Sequence, residues 1–302
     1  MDSEVNGGFA QMKYIDREGK VWEEVSGQDK LLKLLYQTKA GRAILKILIR
    51  PGVSRAGGWL LEQKISRLLI RPFVKSQKID LDLYEKQEFE SYNDFFTRQI
   101  KKEFRPLEGG AETLVSPCDG KLSVYRIDDG RRFCIKDTEY TLRDLLHSRT
   151  LEERYRNGYA CVFRLTVDDY HRYCYVDSGK KSADIRIPGV FHTVNPAAND
   201  VCPIYKENTR EYSLLKSRHF GTILMMEVGA LMVGRITNYH GSCQVERGQE
   251  KGRFEFGGST IILLFQENKV NLDARLEENT KLGYETVVKM GERLGETIKG
   301  EL

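Results

Sequence analysis

Apolar residues recur at helical spacing from Leu31 (Leu31, Leu34, Leu35, then Ile44, Leu45, Leu48, Ile49) until Pro51-Gly52 interrupts them. A second amphipathic stretch sets Leu61, Ile65, Leu68 and Leu69 on one face and Lys64, Arg67 and Arg71 on the other, and Pro72 is expected to end it. Residues 91 to 105, with Tyr92, Phe95 and Phe96 ahead of Arg98, Lys101 and Lys102, predict a third short helix with a basic flank. Residues 1 to 28 mix glycine, charge and isolated apolar positions, the texture of a loosely ordered leader with room for one turn or hairpin.

After Pro106 the pattern changes to short β-rich runs separated by turn signals: Thr113 to Val115, Leu122 to Arg126, Ala160 to Val167, Tyr173 to Val176, Ala183 to Ile187, Thr222 to Val228, Leu231 to Ile236 and Thr260 to Phe265. One helix is expected among them, near Leu142 to Tyr155. The tail from Leu272 is polar and punctuated by glycine, and its pattern assigns no element. These elements predict an α+β fold, a mainly antiparallel β domain preceded by basic amphipathic helices. The expected division is a leader over 1–28, a helical membrane-associating segment over 29–105 and a catalytic domain over 106–302.

Composition narrows this picture in two places. With 302 residues, 40% hydrophobic and 30% charged, the chain can bury a sizeable core. Its six cysteines form no C-x-x-C pair and its start lacks a basic-then-apolar export pattern, so free thiols and a cytoplasmic setting are expected. The longest apolar candidate, Thr222 to Gly234, carries Glu227 and falls short of the roughly 20 residues that span a bilayer, so membrane contact would be peripheral.

Charge is the second place. Between Lys30 and Lys75 eleven Lys and Arg face one acid, Glu62, a local charge of +10 in a chain whose net charge is +4. Such a face is either merely solvated or a lipid-surface helix. Each cation near an anionic leaflet contributes about 1 kcal/mol, so half of the eleven would supply roughly 5 kcal/mol. Nucleic acid is not the expected partner, because aromatic residues are not interleaved with the basic ones as base stacking requires.

Between two apolar strands, Lys251-Gly-Arg-Phe-Glu-Phe-Gly-Gly-Ser-Thr-Ile-Ile-Leu-Leu-Phe265 places a Gly-Gly-Ser-Thr corner. A Gly-Ser junction is ordinarily a turn. It also permits a specific reaction, because glycine admits backbone conformations that bring its carbonyl within reach of the next hydroxyl. Attack by Ser259 on the Gly258 carbonyl would give an ester, given a base and oxyanion donors. Elimination from that ester leaves dehydroalanine, which hydrolyses to a pyruvoyl group. Candidate helpers are Asp119, in the turn Ser116-Pro-Cys-Asp-Gly120, and His171 in Asp168-Asp-Tyr-His-Arg172 after the strand Ala160 to Val167. In isolation the commoner explanations are an ordinary Asp-Gly turn for the one and a structural or solvated strand-end histidine for the other.

Taken in order, Asn93-Asp-Phe-Phe-Thr-Arg98, Ser116-Pro-Cys-Asp-Gly120, Asp169-Tyr-His-Arg172, Phe191-His-Thr-Val-Asn-Pro196, Asn208-Thr-Arg-Glu-Tyr212, Glu227-Val-Gly-Ala230 and Gly252-Arg-Phe-Glu-Phe-Gly-Gly-Ser-Thr260 resemble the phosphatidylserine decarboxylase family over roughly residues 90 to 295. The resemblance implies a proenzyme cut between Gly258 and Ser259 into a β chain, 1–258, and an α chain, 259–302, that stay associated. Ser259 would become the pyruvoyl cofactor, which forms a Schiff base with phosphatidylserine and releases carbon dioxide and phosphatidylethanolamine. Asp119 and Ser259 match a cleavage relay of Asp, His and Ser, and His171 matches the residue that protonates the product carbon. Docking of Lys64, Arg67 and Arg71 on an anionic membrane would place the enzyme peripherally on the cytoplasmic face of the cell membrane. No metal is implied, and a homo-oligomer stays open.

The family usually carries a second histidine three residues after the first, assigned to the relay, and here Cys174 stands there. His171 could serve both steps, Cys174 could act as a weaker base if its thiolate is stabilised, or His192 could reach in from its neighbouring motif. The family position matching His192 is typically aromatic, so one histidine is lost where another is gained. A fourth reading is an inactive proenzyme. Competing functions are a pyruvoyl-dependent decarboxylase of a soluble amino acid and an unprocessed lipid-binding protein.

Overall fold

The computed structural model describes residues 12–24, 34–36, 38–135, 138–193, 204–230, 235–255, 257 and 259–298. Leu31, the start of the leader, residues 194–196, residues 231–234 and Gly258 lie outside the described residues. The α+β expectation holds, with a run of helices ahead of most strands of a large and mainly antiparallel sheet and further helices between its later strands.

That sheet has eleven strands. Its centre runs Arg210–Ser217, Thr222–Val228, Ser259–Phe265, Tyr159–Leu165, Gly120–Arg126, with each neighbour antiparallel. All seven residues of Ser259–Phe265 are buried. Ile261, Leu263 and Phe265 enter one core cluster, with Leu122, Phe163 and Leu165, while Ile262 and Leu264 enter a second, with Val162, Leu224 and Met226. A strand buried on both faces reads as a continuous apolar run, which is the pattern Ile261 to Phe265 shows. The leader's hairpin, Met12–Ile15 with Val21–Glu24, extends this sheet by a parallel pairing to Tyr284–Val288.

Ahead of the sheet, helices Lys39–Leu48 and Pro51–Glu62 are followed by a 3-10 turn, Lys64–Leu69, and a helix, Ile70–Gln77. Pro51 thus starts a helix, and Pro72 does not end one but sits in the first turn of Ile70–Gln77. A proline is tolerated there because the first N–H groups of a helix have no carbonyl to meet. Ser66, buried, donates to Leu61 O and Gln63 O and accepts from Tyr92 N at 2.9 Å, tying these helices to helix Tyr92–Phe96. Leu61, Ile70, Tyr92, Phe95 and Phe96 form a small core of their own.

The helix expected near Leu142 to Tyr155 is two, Leu142–Leu146 and Arg149–Arg154, because His147 turns left-handed at φ 52° and Ser148 caps the second. The expected strand Leu231 to Ile236 is described only from Arg235, in strand Arg235–Asn238. That strand pairs with Glu250–Glu255, which pairs in turn with Arg172–Cys174, in a three-stranded sheet. The polar tail holds helix Ala274–Lys281 and strands Tyr284–Val288 and Arg293–Glu296. No helix among the described residues is long and apolar enough to cross a membrane.

Candidate active site

Strand Tyr159–Leu165 ends opposite Ser259, in register Ser259 to Leu165. The chain then turns: Asp169 accepts from Thr166 N (2.7 Å) and Thr166 Oγ1 (2.9 Å), and Lys121 Nζ donates to Asp169 Oδ2 (2.7 Å) and Thr166 Oγ1 (2.6 Å). Two residues beyond this clamp, His171 points back across the turn with its Nε2 2.9 Å from Thr166 O. Its own carbonyl accepts from Phe254 N, so the strand that leads into the Gly-Gly-Ser corner is fastened to the histidine's backbone. Lys251 of that strand pairs with Glu227 of Thr222–Val228 at 2.8 Å, both fully buried, which fastens it to the central sheet as well.

Ser259 Oγ lies 3.3 Å from His171 Nδ1, and both residues are inaccessible to solvent. The tautomer follows from the partners. A carbonyl oxygen only accepts, so Nε2 carries the hydrogen and donates to Thr166 O. Nδ1 is then the bare nitrogen, and the Ser259 hydroxyl donates to it. Burial, the largest influence, pushes the His171 pKa down to about 4, against the opposing pull of Asp169. The imidazole is therefore neutral at physiological pH and free to accept a proton. Phe96 covers the ring, with centroids 4.2 Å apart and planes inclined by 30°. In the corner itself, Gly257 has φ +115°, a conformation that L side chains rarely adopt.

The other expected residues are placed differently. Asp119 binds Arg105 in a fork, Nε to Oδ1 at 2.8 Å and Nη2 to Oδ2 at 2.5 Å, and Oδ1 also accepts from Met290 N. It has no hydrogen bond to His171 or Ser259. Cys174 leans on the turn that holds Asp119: its N donates to Pro117 O and its Sγ contacts Ser116 O at 3.9 Å. Burial pushes the Cys174 thiol up to about 12, the reverse of a stabilised thiolate. His192 is occupied at both ring nitrogens, by Tyr36 Oη at 3.2 Å and by Glu207 Oε2 at 3.2 Å.

Lys64, Arg67 and Arg71 are exposed on the helical shoulder and carry no ion pair among the described residues. Beside them Trp59, Leu60, Ile65, Leu68 and Leu69 are also exposed, Leu68 at 72%. No group of His, Cys, Asp and Glu suited to holding a metal occurs among the described residues.

Sequence reasoning did not single out Lys121, Thr166, Asp169 and Phe96. Asp169 and Phe96 stand inside the quoted motifs, so their neighbourhood carried a signal. Lys121 and Thr166 act through a clamp and a backbone carbonyl, which no residue type advertises.

The family model for phosphatidylserine decarboxylase matches residues 92–296. The chain is 44% identical over 279 residues to phosphatidylserine decarboxylase proenzyme 2 of Clostridium acetobutylicum, covering 92% of this chain and 96% of that one. It is 39% identical over 299 residues to the phosphatidylserine decarboxylase proenzyme of Desulfitobacterium hafniense, covering 96% and 99%. To the proenzyme of that name from Clostridium tetani it is 40% identical over 291 residues, covering 94% and 98%.

Proposed function

The chain belongs to the phosphatidylserine decarboxylase family, and from that premise we propose that it is a carboxy-lyase that cuts itself at Gly258-Ser259 and then decarboxylates phosphatidylserine to phosphatidylethanolamine. The observation that carries the self-cutting is the 3.3 Å contact between the Ser259 hydroxyl and the bare nitrogen of a neutral, buried His171.

As Oγ attacks the Gly258 carbonyl carbon, its proton passes to Nδ1. The Gly258 C–N bond then breaks, Nδ1 returns the proton to the departing nitrogen of residue 259, and Gly258 is left joined to Oγ as an ester. Loss of the Ser259 Cα proton expels the Gly258 carboxylate. The dehydroalanine that remains takes up water, releases ammonia and leaves a pyruvoyl group at position 259. The residues present fit that group: its precursor hydroxyl is held, shielded from water, against a proton acceptor with a defined tautomer. Once formed, the pyruvoyl group supplies the electron sink that the loss of carbon dioxide needs. With the hydroxyl consumed, His171 Nδ1 would face the same point, and after taking up a proton from solvent it would be placed to pass that proton to the carbon that has lost carbon dioxide.

His171 in both roles is favoured over Cys174 and His192 by their surroundings, a neutral thiol and a ring already engaged twice. Association of the two product chains is supported by the place of Ser259–Phe265, which pairs along its length with strands of the β chain on either side.

We further assign residues 39–77 to docking on an anionic membrane. Exposed Trp59, Leu60, Ile65, Leu68 and Leu69 beside Lys64, Arg67 and Arg71 form an apolar surface rimmed by cations. This favours lipid over a soluble amino acid as substrate, and phosphatidylserine in liposomes should be consumed while free serine is not. The decisive measurement for self-cutting is the intact mass. Two chains, residues 1–258 and residues 259–302 with a pyruvoyl terminus, are expected, and a single species of 34.8 kDa would overturn the reading.

A further inference from the structure

Among the described residues three arginines are buried, Arg98, Arg164 and Arg210. Arg164 forks onto Glu285 and donates to Tyr14. Arg210 meets no carboxylate, yet its donors are filled: Nε to Leu145 O at 2.8 Å, Nη1 to Lys206 O at 2.8 Å and Asn208 O at 3.0 Å, Nη2 to Asp144 O at 2.8 Å and to His147. Arg98 is different. Its Nη1 reaches Phe95 O at 3.4 Å and its Nη2 reaches Asp168 O at 3.3 Å, both long, and its Nε meets no partner among the described residues. No ion pair of 4.0 Å or less joins it to a carboxylate there.

A guanidinium has five N–H donors, and leaving a buried charge undersatisfied costs several kcal/mol. Two aromatic faces hold this one in place, with its carbon 4.6 Å from the Tyr84 centroid and 4.8 Å from that of Phe95. The stacking fixes the cation without using its hydrogens. Its position follows from the chain: Arg98 comes two residues after Phe96, which covers His171, and touches Asp168 in the turn that delivers His171. Its positive charge also opposes protonation of that histidine.

We propose that Arg98 binds the phosphodiester of the substrate headgroup, and so selects a phospholipid over free serine. The inference rests on the decarboxylase reading above. The substrate offers two anions, and the chemistry separates them. Its carboxylate departs as neutral carbon dioxide, so an ion pair with that group would be lost on the way to the transition state and would raise the barrier. The phosphodiester keeps its charge throughout, and pairing with it adds affinity without opposing the reaction. A planar fork with unfilled donors suits a phosphodiester's two unesterified oxygens.

The test uses the full processed enzyme with glycerophosphoserine as a soluble substrate and inorganic phosphate as the probe. Arg98→Gln should raise KM at least tenfold with kcat changed less than threefold, and should weaken competitive inhibition by phosphate to a similar degree. Arg98→Lys, which keeps a point charge without the fork, should fall between. If Arg98→Gln does not fold or is not cut, Arg98→Lys decides by the same two readouts. Unaltered KM and unaltered phosphate inhibition in a folded, cut variant would overturn the assignment while leaving the decarboxylase reading intact. Absence of turnover in the native enzyme would instead remove the reading on which it rests.

Discussion

The corner around Ser259 and the shoulder around Trp59 treat water in opposite ways. Ser259, His171 and Phe96 are sealed, and the turn that carries His171 is held by Thr166, Asp169 and Lys121. On the shoulder, residues 34–69 hold eight of the fifteen exposed large hydrophobic side chains among the described residues, next to cations without ion pairs. Sealing turns an ordinary imidazole into a neutral proton acceptor of fixed tautomer, whereas exposure leaves both apolar area and charge free for an outside surface. The two regions meet at one ring. Phe96 belongs to the shoulder's small core with Leu61 and Ile70 and also covers His171, so the proposed docking surface and the proposed reacting corner are packed as neighbours.

The largest effects should come from the sealed side. Ser259→Ala removes the attacking hydroxyl while altering one oxygen in a packed strand. It should therefore leave a folded chain that stays at 34.8 kDa and shows no decarboxylation. Any cut product from that variant breaks the mechanism. His171→Ala should slow cutting by at least a hundredfold, read as the fraction cut against time, while Cys174→Ala and His192→Ala cut at the native rate. Should His171→Ala cut normally and one of the other two fail, the proton acceptor has been misassigned and the failing variant names it.

How much of this contrast could be read from the chain depends on how far each feature is local. The strand Ser259–Phe265 was visible because a two-sided strand writes an unbroken apolar run. Arg210–Ser217, also in the centre, was not, because Arg210, Glu211 and Lys216 interrupt it; Arg210 is held there by the nearby carbonyls of Lys206 and Asn208 together with those of Asp144 and Leu145 from a distant segment. Pro72 was misread since the same residue ends one helix or opens another, and only the chain before it decides. At the site, Ser259 and His171 could be named from their motifs, but their contact joins residues 88 apart. Asp119 shows the limit most clearly: its motif suggests a relay, and nothing in its own turn announces the fork it forms with Arg105 from another segment.

On the exposed side the expected effect is smaller and graded. Neutralising Lys64, Arg67 and Arg71 together to Gln should weaken binding to vesicles with anionic lipid by roughly 3 kcal/mol, about a hundredfold, at about 1 kcal/mol per cation. Added salt should have a much smaller effect on the triple variant than on the native protein. Binding that survives both changes would assign docking to the apolar side chains alone, and Trp59→Ser with Leu68→Ser would then be the variant to abolish it.

The mildest effect tests whether the seal sets the properties of His171. Its pKa is about 4 in the folded chain and about 6.5 in an unfolded one. Below 6.5 the unfolded chain takes up a proton that the folded chain refuses, so stability falls as pH drops from 6.5 and the loss is complete only below the folded pKa near 4. From pH 7.5 to pH 5 the single group should cost roughly 2 kcal/mol. The Ser259→Ala chain, which stays uncut, lets this be measured by urea unfolding at each pH without processing during the experiment. Other groups titrate over the same interval, so the quantity to compare is the pH slope of Ser259→Ala against that of Ser259→Ala with His171→Gln. The added glutamine should flatten the slope by about that amount. Equal slopes would mean that His171 titrates as it does in water, and that the corner is open rather than sealed.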